Sequence, residues 1–259
     1  PAMPFSFAYS GLHWKEPRLE RLLPLASGAG WQGWEIRQSL DWLGSPRRVR
    51  GLCRDADIDV AAVCGPNATL STADPVHQIG KRRIEFAAEL EVTTFMTKGP
   101  GRGQLVPEGE SAASDELLDR MAAVYEDLAA YAAPLGVTVT FHPHVRHLVD
   151  SADEWKRFMA RLDQCRLCMD MSHAVFWDYD PVAAVGDFAE RISYVHLHDD
   201  RDGAGVDLGE GPMCDYAAFL ARLEEIGYGG WITVCPGSAD RPEEERLRIN
   251  REYLTALGY

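Results

Sequence analysis

Two hydrophobic periods take turns along this chain: short runs in which apolar residues recur at every second position, and longer ones in which they recur at every third or fourth. The first kind reads as strands at 4–9, 31–36, 57–64, 91–97, 137–142, 165–170, 192–197 and 230–235. The second reads as helices near 17–26, 38–54, 75–90, 112–134, 152–163, 181–190, 214–227 and 241–256. Start signals precede several helices: Ser111 ahead of an early cluster of acids, Asp74-Pro75 and Asp180-Pro181. Gly136 and Gly227 mark helix ends, where a left-handed residue is needed. Strands and helices in this alternation build a closed parallel barrel, so the expected fold class is α/β, a single (β/α)8 TIM barrel occupying residues 1–259 as one domain. The longest irregular stretches, Lys98 to Glu110 and Arg201 to Pro212, follow strands and therefore fall on the catalytic face. Within the first, Gly99-Pro100-Gly101-Arg102-Gly103 lacks the ending of a phosphate-binding loop and reads as a mobile lid, with Arg102 as an anion contact.

Chemistry concentrates at three strand ends: Phe141-His142-Pro143-His144, Met169-Asp170-Met171-Ser172-His173 and Val195-His196-Leu197-His198-Asp199. His142 and Asp170 are 28 residues apart, and Asp170 and His196 are 26 apart, each about one β/α unit. Neighbouring parallel strands would thus deliver these side chains to one rim. Parity agrees: Thr138, Thr140 and His142 share a face, as do Cys168 and Asp170, and Tyr194, His196 and His198. The alternate positions Val139, Phe141, Leu167, Met169, Val195 and Leu197 are apolar and would face the helices. A lone buried His is more often a satisfied core imidazole than a ligand. Three compatible residues at one rim point instead to a divalent ion held by His142, Asp170 and His196, able to polarise a carbonyl or hydroxyl oxygen.

Composition narrows the setting. A hydrophobic fraction of 46% and seven Trp can bury a large core, and no apolar run approaches the roughly 18 residues needed to span a membrane. A net charge of −14 argues against a phosphate-backbone partner. The start, Pro-Ala-Met-Pro, shows no signal-peptide pattern, and six scattered Cys, with one Cys-x-x-Cys at 165 and 168, suit buried thiols in a reducing cytoplasm. No Gly-x-Ser-x-Gly elbow supports a hydrolase triad.

Gly33-Trp34-Glu35-Ile36-Arg37, Leu167 to His173, Tyr194 to Asp199, Leu208-Gly209-Glu210-Gly211 and Gly227-Tyr228-Gly229-Gly230-Trp231 together resemble the xylose-isomerase-like TIM barrels, a superfamily of sugar-phosphate isomerases and epimerases, inosose dehydratases and hydroxypyruvate isomerases. The resemblance implies a metal quartet of Glu, Asp, His and Glu from strands five to eight, which maps onto His142, Asp170, His196 and Cys235. The His at the first position, within His-x-His, resembles the inosose dehydratase branch. The Cys at the last matches no branch pattern. Strand parity through Trp231, Thr233 and Cys235 turns the thiol inward, where it is either a soft ligand favouring Zn²⁺ or a compact residue making room for a larger substrate; the second reading is preferred. Without the thiolate, the remaining nitrogen and oxygen donors suit Mn²⁺, Co²⁺, Zn²⁺ or Mg²⁺.

Further positions carry roles of their own. His144 is a general base or an orienting imidazole, and His173 is similar to the substrate-contacting His of the superfamily. Glu35, inward by parity with Gly33, holds a substrate hydroxyl or a neighbouring Arg. Lys98 ends strand four as a contact for a carboxylate, phosphate or enolate, or as a solvated rim lysine. His198 stands where a Lys is usual in the family's His-x-Lys-Asp run, and Trp14, Phe176 and Trp177 are placed to wall a pocket, with Trp42, Trp155 and Trp231 in packing. The expected function is a metal-dependent lyase or dehydratase acting on a keto-polyol, which includes cyclitols and oxidised or C-linked glycosides. The alternatives are a ketose isomerase or epimerase and a catalytically altered barrel that binds a polyol or a protein. The expected partner is a small carbohydrate-like substrate, with no nucleic acid or membrane and a homo-oligomer left open.

Overall fold

The computed structural model describes residues 4–15, 18–103, 105–107, 110, 112–237 and 240–259. Seven parallel strands lead the barrel: β1 (Ser6–Ser10), β2 (Gly33–Ile36), β3 (Asp59–Cys64), β4 (Thr94–Lys98), β5 (Thr138–His142), β6 (Arg166–Asp170) and β7 (Ile192–Leu197). An antiparallel hairpin, β8 (Asp199–Arg201) and β9 (Ala204–Val206), precedes the last barrel strand, β10 (Trp231–Val234), which pairs with both β7 and β1 and closes the ring. Closure leaves no exposed sheet edge. It also collects every strand C-terminus at one mouth, as the sequence pattern anticipates.

The helices are α1 (Leu19–Gly28), α2 (Leu40–Leu43), α3 (Pro46–Ala56), α4 (Pro75–Glu89), α5 (Asp115–Ala132), α6 (Ala152–Met159), α7 (Met171–Phe176), α8 (Pro181–Asp187), α9 (Tyr216–Glu225) and α10 (Glu243–Ala256). Local chemistry explains most starts. Asp74 and Asp180 accept from the amides two residues on, each with Pro at the first helical position, and Ser114 and Ser151 cap α5 and α6. Ser111, expected to start the fourth helix, lies outside the described residues. The single helix expected at 38–54 is two, because Gly44 turns left-handed at φ 72° and Ser45-Pro46 caps a new start.

Two elements were not apparent in the hydrophobic pattern. α7 follows β6 without a loop, its first turn capped by Asp170 itself. The stretch expected to be irregular after Arg201 instead contains the β8–β9 hairpin, turned by Asp202 and Gly203 at φ 56° and 82°, with Asp200 accepting from the Gly203 amide at 2.7 Å.

Outward strand faces pack on helices as parity requires: Phe141 meets Tyr125 of α5 and Phe158 of α6 edge-on, at 5.4 and 4.7 Å between ring centres. Inside the barrel a small layer of Ala8, Ala61, Ala62, Met96, Cys168 and Tyr194 fills the space beneath the mouth. It is closed from below by Trp231. This apolar plug makes the layer above it a dry place for polar groups.

The glycine-rich stretch after β4 is latched to the segment after β5, contrary to the expected mobile lid. Leu148 N–H donates to Pro100 O and Arg102 N–H to Arg146 O. The Arg102 guanidinium donates to both carboxylate oxygens of the fully buried Glu154 at 3.0 Å, so it is committed inside the protein and not to an external anion. The same carboxylate accepts from the amides of Ala113 at 2.5 Å and Asp150 at 2.7 Å. Glu154→Ala would strand a half-buried guanidinium and two amides, so a loss of about 3–5 kcal/mol is expected in denaturant unfolding. A loss under about 1 kcal/mol would show that the latch contributes no more than a surface ion pair.

Candidate active site

The layer above the plug carries one inward side chain from each barrel strand. Ser10 and Glu35 come from β1 and β2, which pair at these residues; Cys64 and Lys98 end β3 and β4. His142, Asp170 and His196 end β5, β6 and β7, with Lys98 paired to His142 and Asp170 to His196 in the ladders. Cys235 follows β10 and extends its ladder through an amide donated to Leu197 O at 2.9 Å.

Asp170 is the hub. Its Oδ1 accepts from the Ser172 amide at 3.1 Å and hydroxyl at 2.6 Å, which fixes the carboxylate at the head of α7. Its Oδ2 faces four imidazoles, with nitrogens of His142 at 2.8 Å, His198 at 3.1 Å, and His173 and His196 both at 3.5 Å. Asp170 is fully buried, and despite burial the surrounding imidazoles, His198 foremost, hold its carboxyl well below the ordinary range. His173 comes to this cluster on the first turn of α7, three residues past Asp170.

A second network backs His196. Its Nε2 donates to Glu35 Oε2 at 2.6 Å, and Glu35 Oε1 accepts from Ser10 Oγ at 2.8 Å and from Arg37 Nε. Glu35 therefore holds both a histidine and the neighbouring Arg, one of the partners expected for it. With Nε2 donating to Glu35, Nδ1 of His196 faces Asp170 and Cys235 Sγ, each 3.5 Å away. Arg37 Nη2 lies 3.7 Å from the same sulfur. Burial opposes ionisation of Cys235, but His196 and His198 outweigh it and bring the thiol down to about 6.

The imidazoles divide into two kinds. Burial pushes His142 well below its ordinary range, His144 to about 4 and His173 to about 3, so all three are neutral near pH 7. On His196 and His198 burial also opposes the charge, but Cys168, Cys235 and Glu35 around the first, and Asp170 and Cys235 around the second, raise both, His198 to about 10. Positive charge is thus drawn to the space between Asp170, His196, His198 and Cys235. A divalent cation fits these residues on the same grounds: the donors are anionic or imidazole, they are buried, and one donor atom each from His196, His198 and Cys235 falls within 4.8 Å of the others. His142, Asp170 and His173 form a second such group. His142, Cys168 and His196 form a third, so the expected trio of His142, Asp170 and His196 is spread over three overlapping groups and not gathered in one.

The other expected residues take these places. His144 Nδ1 donates to Val145 O at 2.9 Å, and its ring lies 4.3 Å from that of His173. Lys98 is partly buried at the rim with no hydrogen-bond or ion-pair partner among the described residues, and burial followed by Arg37 lowers its pKa. Trp177 donates to Asp150 at 3.1 Å, its ring 6.1 Å from His173, and Phe176 is 48% exposed beside the same histidine. Trp14 is buried with its ring stacked on Trp34 and Tyr9 and its N–H donated to Glu243, which gives it a packing role. Ser10 and Arg37 were not singled out from sequence, although both share inward parity with the site. His147, donating from Nδ1 to Val145 O and accepting at Nε2 from Asn67, was also missed, because it lies in a loop where parity says nothing.

Residues 23–257 match the family model described as "Xylose isomerase-like TIM barrel". The chain belongs to this family. Among curated relatives, inosose dehydratase of Geobacillus kaustophilus (strain HTA426) is 32% identical over 120 residues, 39% of this chain and 39% of that protein. The rhizopine catabolism protein MocC of Rhizobium meliloti is 27% identical over 201 residues, 70% of this chain and 58% of that one. Inosose dehydratase of Clostridium beijerinckii (strain ATCC 51743 / NCIMB 8052) is 23% identical over 251 residues, 85% and 82%. The chain thus spans 39% and 58% of the length of the first two relatives. Among solved structures, D-allulose 3-epimerase from Methylomonas sp. has a TM-score of 0.81 at 18% identity, covering 98% of both chains. The 3-keto-D-glucoside 4-epimerase of E. coli has a TM-score of 0.81 at 17% identity, covering 98% of this chain and 99% of that one. At such identities the structures establish the fold.

Removing the Glu35 charge is the direct probe of the second network. Glu35→Gln should destabilise the protein by about 3–5 kcal/mol because Arg37 is left as an uncompensated buried charge. Ser10→Ala, which deletes a single hydrogen bond, should cost only about 0.5–1.5 kcal/mol by the same denaturant measurement.

Proposed function

We propose that this family member is a metal-assisted dehydratase of a keto-cyclitol or related keto-sugar, taking a proton α to a carbonyl and expelling a β-hydroxyl. The observation that carries the reading is a neutral imidazole beside a buried cluster of His, Asp and Cys whose donor atoms could hold a cation. His144 spends Nδ1–H on Val145 O, so its Nε2 keeps a lone pair, and burial holds the ring neutral near pH 7. A divalent ion bound around Asp170 and His196, with the imidazoles of His142 and His198 on either side, would supply Lewis-acid polarisation of the substrate oxygen.

The remaining roles belong to side chains. His144 Nε2 accepts the α-proton. His173 receives the Val145 amide on Nδ1 at 3.4 Å and so carries its own proton on Nε2, which it can offer as a hydrogen bond to the departing hydroxyl; the proton taken up by His144 is returned to that hydroxyl as water leaves. Lys98 places positive charge at the rim, where an enolate oxygen develops. Trp177 and Phe176 border His173 and offer apolar surface to a ring. Relatives named inosose dehydratase support this substrate class, and His142 and Cys235, standing where the resemblance places the two glutamates, separate the site from a two-glutamate epimerase.

Epimerisation shares the first step, so the test must read both steps. Incubated in heavy water with a keto-inositol, the enzyme should exchange the α-proton and release a product lighter by one water in mass spectrometry. His144→Ala should slow exchange about 100-fold or more. Exchange with recovery of an epimer and no water loss would replace the dehydratase reading by the epimerase one. No exchange with any keto-polyol offered, from metal-loaded protein, would leave a binding barrel without turnover.

A further inference from the structure

Cys235 stands at the position where the resemblance places a carboxylate, and its surroundings are not those of a compact hydrophobe. The residue is 1% exposed, and its sulfur faces polar groups: His196 Nδ1 at 3.5 Å and Arg37 Nη2 at 3.7 Å. The donor separations are informative. Two ligands bound to one ion at 2.0–2.3 Å lie about 3.0–3.7 Å apart. Cys235 Sγ to His196 Nδ1 at 3.5 Å, His196 Nδ1 to Asp170 Oδ2 at 3.5 Å and His198 Nε2 to Asp170 Oδ2 at 3.1 Å all meet that spacing. The His198 Nε2 is buried and makes no hydrogen bond among the described residues in spite of its closeness to the carboxylate, so its position suits a shared ion better than a direct bond. His142 differs: it stands 2.8 Å from Asp170 in a formed hydrogen bond, and its Nδ1 is buried without a partner among the described residues. A ligating imidazole normally donates its other N–H to an outer acceptor, as His196 does to Glu35; neither His142 nor His198 has such an acceptor among the described residues, so the separation from Asp170 is what distinguishes them. His173 is excluded as a ligand through Nε2 because Nδ1 accepts the Val145 amide.

From this geometry we infer that the ion is held by Asp170, His196, His198 and Cys235, a thiolate-containing set that takes a soft or borderline cation, Zn²⁺ or Co²⁺, in preference to Mg²⁺. The inference rests on the metal reading proposed above. Charge supports it: one carboxylate and one thiolate neutralise a divalent ion, while Glu35 and Arg37 neutralise each other. Buried charge is then balanced without further counter-ions. Cys168, whose sulfur lies within 4.8 Å of a nitrogen of His142 and of His196, is the competing thiol, but it belongs to the apolar layer beneath the site.

Co²⁺ titrated into chelator-treated protein tests the ligand set without any need for substrate. The expected spectrum has a near-ultraviolet sulfur-to-cobalt charge-transfer band. The band should be lost in Cys235→Ser and retained in Cys168→Ser and His142→Ala. Zn²⁺ should displace Co²⁺, and millimolar Mg²⁺ should not. His198→Ala should weaken Zn²⁺ at least about 100-fold, the upper end of what losing an outer partner costs. Circular dichroism and thermal melts of each variant establish folding, and Cys235→Asp, which keeps an anionic donor, should bind Co²⁺ without the band. Cobalt binding with no such band, or with a band that survives Cys235→Ser or vanishes in Cys168→Ser, would overturn the assignment. Abolition by His142→Ala with His198→Ala unaffected would overturn it in favour of His142. Failure of folded wild-type protein to bind Zn²⁺, Co²⁺, Mn²⁺ or Mg²⁺ would remove the metal reading itself.

Discussion

The buried carboxylate of Asp170 is the constraint around which the mouth of the barrel is organised. An ionised carboxylate away from water is costly unless hydrogen bonds and opposite charge compensate it. Here one oxygen is satisfied locally, by the Ser172 amide and hydroxyl that open α7, and the other is turned toward imidazoles from two strands, the residue after β7 and a helix. The same residue therefore ends a strand, starts a helix and sets the charge of the site. Capping by Asp170 also explains why a helix of six residues forms directly at a strand end, and why His173 on that helix reaches the cluster.

Electrostatics then sort chemically identical side chains into different roles. His142, His144 and His173 are pushed toward neutrality by burial, whereas His196 and His198 are drawn toward positive charge by the anions around them. Base chemistry and cation binding need these opposite conditions, and the structure provides both within one rim. The apolar plug beneath and the closed barrel wall keep water out, which strengthens each of these interactions relative to solvent.

Much of this was legible in the chain. Alternation along β5, β6 and β7 assigns His142, Asp170 and His196 to the inner face, because side-chain direction in a strand has a strict period of two. The same rule places Glu35 and Cys235 inward. Where the backbone leaves the strand the rule stops working. Whether Arg102 faces solvent or the buried Glu154, 52 residues away, and whether Trp14 walls a pocket or stacks on Trp34, depend on which segments pack over which. The split of the second helical region at Gly44 and Ser45, and the hairpin turned by Asp202-Gly203, lay in local turn chemistry that a periodicity reading passes over.

The sequence by itself determined the order of strands and helices, the closed barrel they imply and the residues that share its mouth, since these follow from hydrophobic period and chain length between strand ends. Tertiary structure alone decided the pairings: Glu35 with His196 across 161 residues, Cys235 with His196 across 39, and the choice of nitrogen each imidazole presents. A tautomer is set by the hydrogen bond made at the opposite ring atom. That partner comes from another strand or loop, and no local pattern in the chain records it.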